Sequence, residues 1–199
     1  MKRALLLVVG IIIGFVITLA IWKLVDRNYR YQGSVIDPPA PAADFTLTDQ
    51  DGNPWTLSDQ KGKTNLIFFG YTSCPDVCPM TLSEFMQIKA ILEDQADQVN
   101  FVYITVDPER DTVEKMSAYL ENFDPEFIGL TGTIEELDPV WKSYGVYHEK
   151  VDTGSEAGYL VDHSASIYVV DKDGNLRLTF PYGMDVNQMA EDVRHLVQE

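Results

Sequence analysis

Asn65-Leu-Ile-Phe-Phe-Gly-Tyr71 is an unbroken apolar run that leads straight into Thr72-Ser-Cys-Pro-Asp-Val-Cys-Pro-Met80. Apolar residues without alternation predict a short strand buried on both faces, as in a sheet covered by helices. Downstream, Leu82, Phe85, Ile88 and Leu92 recur at helical spacing. Pro79 suits the first turn of that helix because it has no N–H to leave unpaired. The only two cysteines, Cys74 and Cys78, therefore sit where a buried strand gives way to a helix.

Other elements are expected around this unit. Apolar segments at 45–47 and 55–57 flank Asp51-Gly52, the arrangement of a small N-terminal hairpin. A strand is expected over 99–106, then a helix over 112–123 with Asp111 or Thr112 as its N-cap. A strand over 127–130 and a helix over 134–144 follow. The last third reads as a strand over 163–170, a turn at Asp173-Gly174, a partner strand over 176–180 and a closing helix over 186–197. The order is that of an α/β, thioredoxin-like fold, a mixed sheet flanked by helices, filling residues 44–199. Ahead of it, residues 32–43 carry Pro38, Pro39 and Pro41 with no apolar period and read as a stiff linker.

Residues 4–22 hold no charge, between Lys2-Arg3 on one side and Lys23, Asp26, Arg27 and Arg30 on the other. At 1.5 Å per residue the stretch reaches across a bilayer core. Residues 1–31 are thus expected to be a single transmembrane anchor with its flank. A cleaved signal peptide competes, through the small-x-small site Thr18-Leu19-Ala20, but the apolar run exceeds the usual h-region of roughly 7–15 residues. The basic flanks do not decide orientation. With three residues ahead of the span and no second span, the simplest placement of the large domain is extracytoplasmic, on the periplasmic side of a bacterium or its equivalent.

The net charge of the chain is −16. Lys2 and Arg3 are two of the fifteen basic residues, so the remainder carries 13 positive against 31 negative charges, a net −18. Such a surface repels phosphate backbones, which argues against nucleic acid and favours metal cations or basic protein patches.

At the opening of a helix, backbone N–H groups and the helix dipole favour thiolate over thiol. An i, i+4 spacing places Cys74 and Cys78 on one face, about 5–6 Å apart at Cβ. They can share a metal ion or, with adjustment, form a disulfide. A purely structural disulfide would close a five-residue loop and restrain the unfolded chain by only about 2 kcal/mol, against about 4.7 for a loop of about 100 residues. Dithiol oxidoreductases of this fold usually carry Cys-x-x-Cys, whereas three residues intervene here. Two thiolates suit Cu(I), and an imidazole would extend the site to Cu(II); a Cys₂His set lacks the fourth ligand of a closed structural zinc site. His195 sits among charged neighbours and reads as solvated. His148 and His163 both flank the segment before the late strand, and periodicity does not choose between them.

Four ordered blocks carry a resemblance: Gly-Tyr-Thr-Ser-Cys-Pro-Asp-Val-Cys-Pro-Met-Thr-Leu (70–82), Val-Asp-Pro-Glu-Arg-Asp (106–111), Gly-Leu-Thr-Gly (129–132) and Tyr-Leu-Val-Asp-His-Ser-Ala (159–165). Together they resemble the SCO/SenC family from about Phe45 onward. The resemblance implies a copper metallochaperone assisting assembly of the binuclear copper centre of cytochrome c oxidase, with subunit II as the copper acceptor. It implies copper, Cu(I) and/or Cu(II), on Cys74, Cys78 and His163, and so selects His163 over His148. Asp138 matches a family aspartate and would support the site from outside the ligand set, a helix-surface carboxylate being the ordinary alternative. Asp162, beside His163, would point to the opposite strand face and is given no ligand role. Many members carry His where Ser73 stands, so one extra nitrogen ligand is missing. Block 106–111 reads at its plainest as a solvated loop in which Pro108 and a capping Asp111 set up the next helix.

The expectation is therefore a chaperone more than an enzyme. Its leading rival is a thiol–disulfide reductase using Cys74 and Cys78 on the cysteines of the acceptor copper site. A peroxiredoxin-like peroxidase fits the fold, but the Pro-x-x-x-Thr-x-x-Cys approach of those enzymes is lacking. A scaffold that tolerates loss of both cysteines is the remaining alternative. Nothing in the residues names a copper donor or a reductant.

Overall fold

The computed structural model describes residues 10–18, 29–155 and 158–199. The chain divides into two units, Met1–Tyr31 and Gln32–Glu199. In the first, residues 10–18 form helix α1, where Thr18 Oγ1 donates to Gly14 O. Much of the expected span, residues 4–22, lies outside the described residues, and no described helix is long and apolar enough to cross a membrane.

In chain order the second unit comprises β1 (Ser34–Pro41), β2 (Thr46–Asp49), β3 (Pro54–Thr56), β4 (Thr64–Gly70), α2 (Val77–Leu92), β5 (Val99–Thr105), α3 (Val113–Leu120), β6 (Ile128–Thr131), α4 (Ile134–Ser143), β7 (His148–Ser155), β8 (Gly158–His163), β9 (Ile167–Val170), β10 (Asn175–Phe180) and α5 (Val186–Gln198). Eight strands form one mixed sheet in the order β1-β10-β9-β4-β5-β6-β2-β3. At its centre β4, β5 and β6 run parallel, with β9 antiparallel to β4. Every residue of β4 and β5 is buried, and Leu66, Ile67, Phe68 and Phe69 expose nothing. An unbroken apolar run is what a strand covered on both faces requires. Helix α2 contributes Leu82, Phe85, Ile88 and Leu92 to the core and packs along α5. The Asp51-Gly52 hairpin forms as expected, with Leu47 opposite Trp55 and Gly52 at φ +82°.

Two expectations are corrected. The proline-rich stretch read as a linker is β1, an edge strand antiparallel to β10 whose register shifts between Val35 and Ala40, across Pro38 and Pro39. An edge position and a bulge are where a strand tolerates residues without an N–H. Its entry is fixed by buried Asp192 of α5, which accepts from the backbone N–H groups of Gln32 and Gly33. Likewise, the single strand expected over 163–170 is two: His163 ends β8 and Ile167 begins β9. Strand β8 pairs with β7 in a separate two-stranded sheet.

Candidate metal centre

Strand β4 delivers the chain to the site. After Gly70, Tyr71 O accepts from Cys74 N at 3.2 Å, closing the turn that carries the first cysteine. Buried Asp111 holds the same turn from the side: its carboxylate accepts from Thr72 N at 3.0 Å, from Thr72 Oγ1 and from Thr105 Oγ1 at 2.8 Å. The sequence reading of Asp111 as a helix cap in a solvated loop is therefore corrected. Thr112 is the N-cap of α3, accepting from Lys115 N. A carboxylate three residues after Pro108 reads as exposed in sequence because the hydroxyls that satisfy it, on Thr72 and Thr105, lie elsewhere in the chain.

Cys74 is half-buried at the mouth of the turn and Cys78 is fully buried in the first turn of α2; both are thiols not joined as a disulfide. Cys78 N donates to Cys74 Sγ at 3.4 Å, and Cys78 Sγ lies 3.4 Å from His163 Nε2. One ligand atom from each of Cys74, Cys78 and His163 lies within 4.8 Å of the others, which is the reach of a single metal ion. His163 Nδ1 is 2.9 Å from Ser164 O. A proton placed on Nδ1 to satisfy that carbonyl leaves the Nε2 lone pair directed at the sulfurs. The imidazole is walled by Phe68 and Tyr71, each edge-on at 5.8 Å between ring centres.

The two thiols differ sharply in acidity. A hydrogen bond from Cys78 lowers the Cys74 pKa to about 4, against the opposing effect of burial and with further help from His163 and the backbone of Asp76 and Cys78. Cys78 moves the other way, chiefly because burial penalises its charge and secondarily because Cys74 already carries one. One negative charge is therefore shared across the pair and sits mainly on the exposed member. An open cavity of about 280 Å³ leads to Cys74 and His163 between Pro75, Asp76, Leu160 and Asp162.

A further group, which sequence reading left without a role, anchors the hairpin that carries His163. Arg110 Nη1 donates to Tyr159 O at 2.9 Å and its side chain pairs with buried Asp107. Tyr159 Oη donates to the other oxygen of Asp107 at 2.7 Å, and Val161 N donates to Tyr71 Oη at 3.2 Å. Block 106–111 is thus a clasp between the end of β5 and β8. The remaining candidates fall outside the centre. His148 stands opposite His163 in the β7–β8 register and packs on Trp141, 4.3 Å between ring centres. His195 is mostly buried and lies 3.6 Å from Glu199, rather than solvated. Asp138 pairs with Lys142 one turn on and no contact carries it toward the cysteines, so the surface alternative holds for it. Asp162 is opposite Glu149, one residue out of step with the His148–His163 pair, as alternation along a strand demands. Ser73 Oγ accepts from Lys115 Nζ at 3.0 Å.

The SCO1/SenC family model matches residues 35–198. This chain belongs to the SCO1/SenC family. The mouse (Mus musculus) protein SCO2 homolog, mitochondrial, is 37% identical over 153 residues, 76% of this chain and 60% of the mouse protein. The chain thus spans about three fifths of that SCO relative's length. Among solved structures, Bradyrhizobium japonicum ScoI with copper bound is 43% identical at a TM-score of 0.72, covering 79% of this chain and 99% of that one. Arabidopsis thaliana ScoI with copper bound is 34% identical at a TM-score of 0.74, covering 80% and 100%. The SCO fold, with its mixed thioredoxin-like sheet, is therefore that of this chain.

Proposed function

We propose that the protein is an extracytoplasmic, membrane-anchored copper chaperone. It takes its cargo on Cys74 Sγ, Cys78 Sγ and His163 Nε2 and delivers it to subunit II of cytochrome c oxidase for the binuclear copper centre. The observation that carries this reading is the meeting of two sulfurs and one imidazole nitrogen within 4.8 Å. The donor set suits copper: soft thiolates match Cu(I), and imidazole broadens the site to Cu(II). One sulfur is already ionised near neutral pH, so a single proton remains to be displaced when the ion enters. Three ligands at the end of an open cavity leave a side for an acceptor ligand to bind before the first set lets go. Copper stoichiometry of the reduced full chain in detergent tests the reading, with Cys74→Ala, Cys78→Ala and His163→Ala alongside. One copper per wild-type chain, lost or sharply weakened in all three variants, is the expected result. No copper retained by reduced wild type would sink it.

The unequal thiols favour a second activity on the same residues, reduction of the acceptor's disulfide. Cys74 thiolate would attack one sulfur of that disulfide, forming a mixed disulfide and expelling the other sulfur as thiolate. Cys78 would then attack Cys74, releasing the second acceptor thiolate and leaving Cys74–Cys78 oxidised by two electrons. Cys74→Ala abolishes such reduction, while Cys78→Ala traps the mixed disulfide. His163→Ala, which spares both sulfurs, separates this activity from copper binding.

A further inference from the structure

Gly70 ends β4 beside the metal centre, and its φ lies outside the left-handed region that would by itself call for glycine. Space calls for it instead. A Cβ at this position would lie 2.7 Å from Tyr103 Oη, 2.9 Å from Cys78 Sγ and 2.9 Å from Phe68 Cε1. The phenol oxygen and the sulfur thus face the same small space, which only a residue without a side chain leaves open. Tyr103 and Cys78 are both fully buried. Tyr103 Oη makes no hydrogen bond to any described residue, and neither does Tyr119 Oη, whose ring centre is 5.9 Å from that of Tyr103.

A buried phenol is almost always satisfied by a protein group or an ordered water. A thiol sulfur is a weak acceptor, which fits the absence of a bond here, whereas a thiolate accepts strongly. Phenylalanine would fill the same place in the core without bringing a polar atom. We propose that Tyr103 is a positioning residue of the metal centre: its O–H donates to the Cys78 sulfur when that sulfur carries the charge that binds copper. The inference rests on the copper reading of Cys74, Cys78 and His163. It deepens that reading by assigning the hydroxyl a task the ligands cannot perform. A hydrogen bond to a copper-bound thiolate weakens its electron donation, which disfavours Cu(II) relative to Cu(I).

Tyr103→Phe tests this, because it removes one oxygen and keeps the ring. Full-length wild type and variant are loaded anaerobically with Cu(I) and, separately, with Cu(II). The readouts are copper stoichiometry, the two affinities and the thiolate-to-Cu(II) absorption band. The variant is expected to bind one copper, to move that band to longer wavelength and to raise the ratio of Cu(II) to Cu(I) affinity about tenfold. Loss of packing alone would weaken both oxidation states together and leave the band in place. A variant that binds one copper with band and ratio unchanged overturns the role of Tyr103 and leaves the copper reading standing. Wild type that retains no copper overturns both.

Discussion

The Arg110 guanidinium carbon sits 3.8 Å from the centre of the Tyr159 ring while its Nη1 reaches the carbonyl oxygen of the same residue at 2.9 Å. Two contacts to one residue fix both the place and the direction of β8 where it crosses the end of β5. Four residues further along β8 is His163, the only one of the three candidate ligands not carried by the β4–α2 unit. The distance from His163 to the sulfurs therefore depends on how firmly a small, separate hairpin is held.

Replacing Arg110 with Met keeps much of the stem and removes the charge. Asp107, whose side chain exposes nothing, would then be left with Tyr159 Oη as its side-chain partner. Leaving a buried charge unpaired costs about 3–5 kcal/mol. A urea titration should show a loss near the lower end of that range. Amide exchange at Leu160 and Val161 should rise more than exchange in β4, and copper affinity should fall about tenfold, about 1.4 kcal/mol. Equal exchange at Leu160 and Val161 in variant and wild type would show that β7 pairing alone holds the hairpin.

The depressed pKa of Cys74 is directly measurable in copper-free, reduced protein. Alkylation by iodoacetamide follows the thiolate, so the rate at Cys74 should stay nearly level from pH 8 to pH 5 and halve near pH 4. An unfolded control should already be falling below about pH 8.5. The sign for stability follows from linkage. A pKa lowered by folding stabilises the native state fully above the free-thiol pKa, and that contribution is lost as pH falls toward 4. Cys78, held as a thiol by burial, should stay unmodified throughout. Mass-resolved alkylation of Cys78 at neutral pH at a rate comparable with Cys74 would contradict the assignment.

What sequence made legible was what is local. The buried strand, the helix behind it and the two cysteines follow one another closely along the chain, so the apolar run and the helical period were sufficient to order them; the i, i+4 face was not, because Cys74 lies in the turn ahead of α2, which begins at Val77, and meets Cys78 through the bond from Cys78 N to Cys74 Sγ. His163 was reached only through family resemblance, because its partner strand β7, His-Glu-Lys-Val-Asp-Thr-Gly-Ser, contains one aliphatic residue and no alternation. That strand exists through pairing with β8, which no window of sequence reports. Asp107 and Asp111 failed for a related reason. A carboxylate followed by others reads as solvated until the hydroxyls and guanidinium that satisfy it are brought in from distant elements. Proline misled in β1 because its usual meaning, an open linker, yields to a bulge on an edge strand. The capping box of α4, Thr133 with Glu136, is by contrast a local signal, Thr-x-x-Glu ahead of an apolar period.

Asp111 offers a graded test of the cysteine turn. Asp111→Ala leaves Thr72 N, Thr72 Oγ1 and Thr105 Oγ1 without their acceptor, each in a buried or half-buried place. An unsatisfied buried donor costs about 1–3 kcal/mol, and the three donors share one site, so the losses will not simply add. A total of about 3 kcal/mol is expected by denaturant titration. Asp111→Asn keeps one carbonyl oxygen and should recover roughly half of it. Copper affinity should follow the same order, because the turn these bonds hold is the one that presents Cys74. A strongly destabilised Asp111→Ala with unaltered copper affinity would detach the turn from the site.

Gly70→Ala probes the opposite failure, a site made too full. The new methyl would meet Tyr103 Oη at 2.7 Å, Cys78 Sγ at 2.9 Å and Phe68 Cε1 at 2.9 Å, all nearer than a methyl group tolerates. None of these is the loose end of a flexible surface chain: Phe68, Cys78 and Tyr103 expose no surface, so relief must come from shifting β4 against α2. Overpacking of this kind costs about 1–3 kcal/mol. The stability loss should therefore be moderate while the loss of copper affinity is large, since the displaced sulfur is a ligand and the shift opens its 3.4 Å approach to His163 Nε2. Iodoacetamide labelling should report the same movement by exposing Cys78, which wild type protects. A variant with wild-type copper affinity and a protected Cys78 would mean that the space beside Gly70 is slack, and that the sulfur is positioned by the first turn of α2 alone.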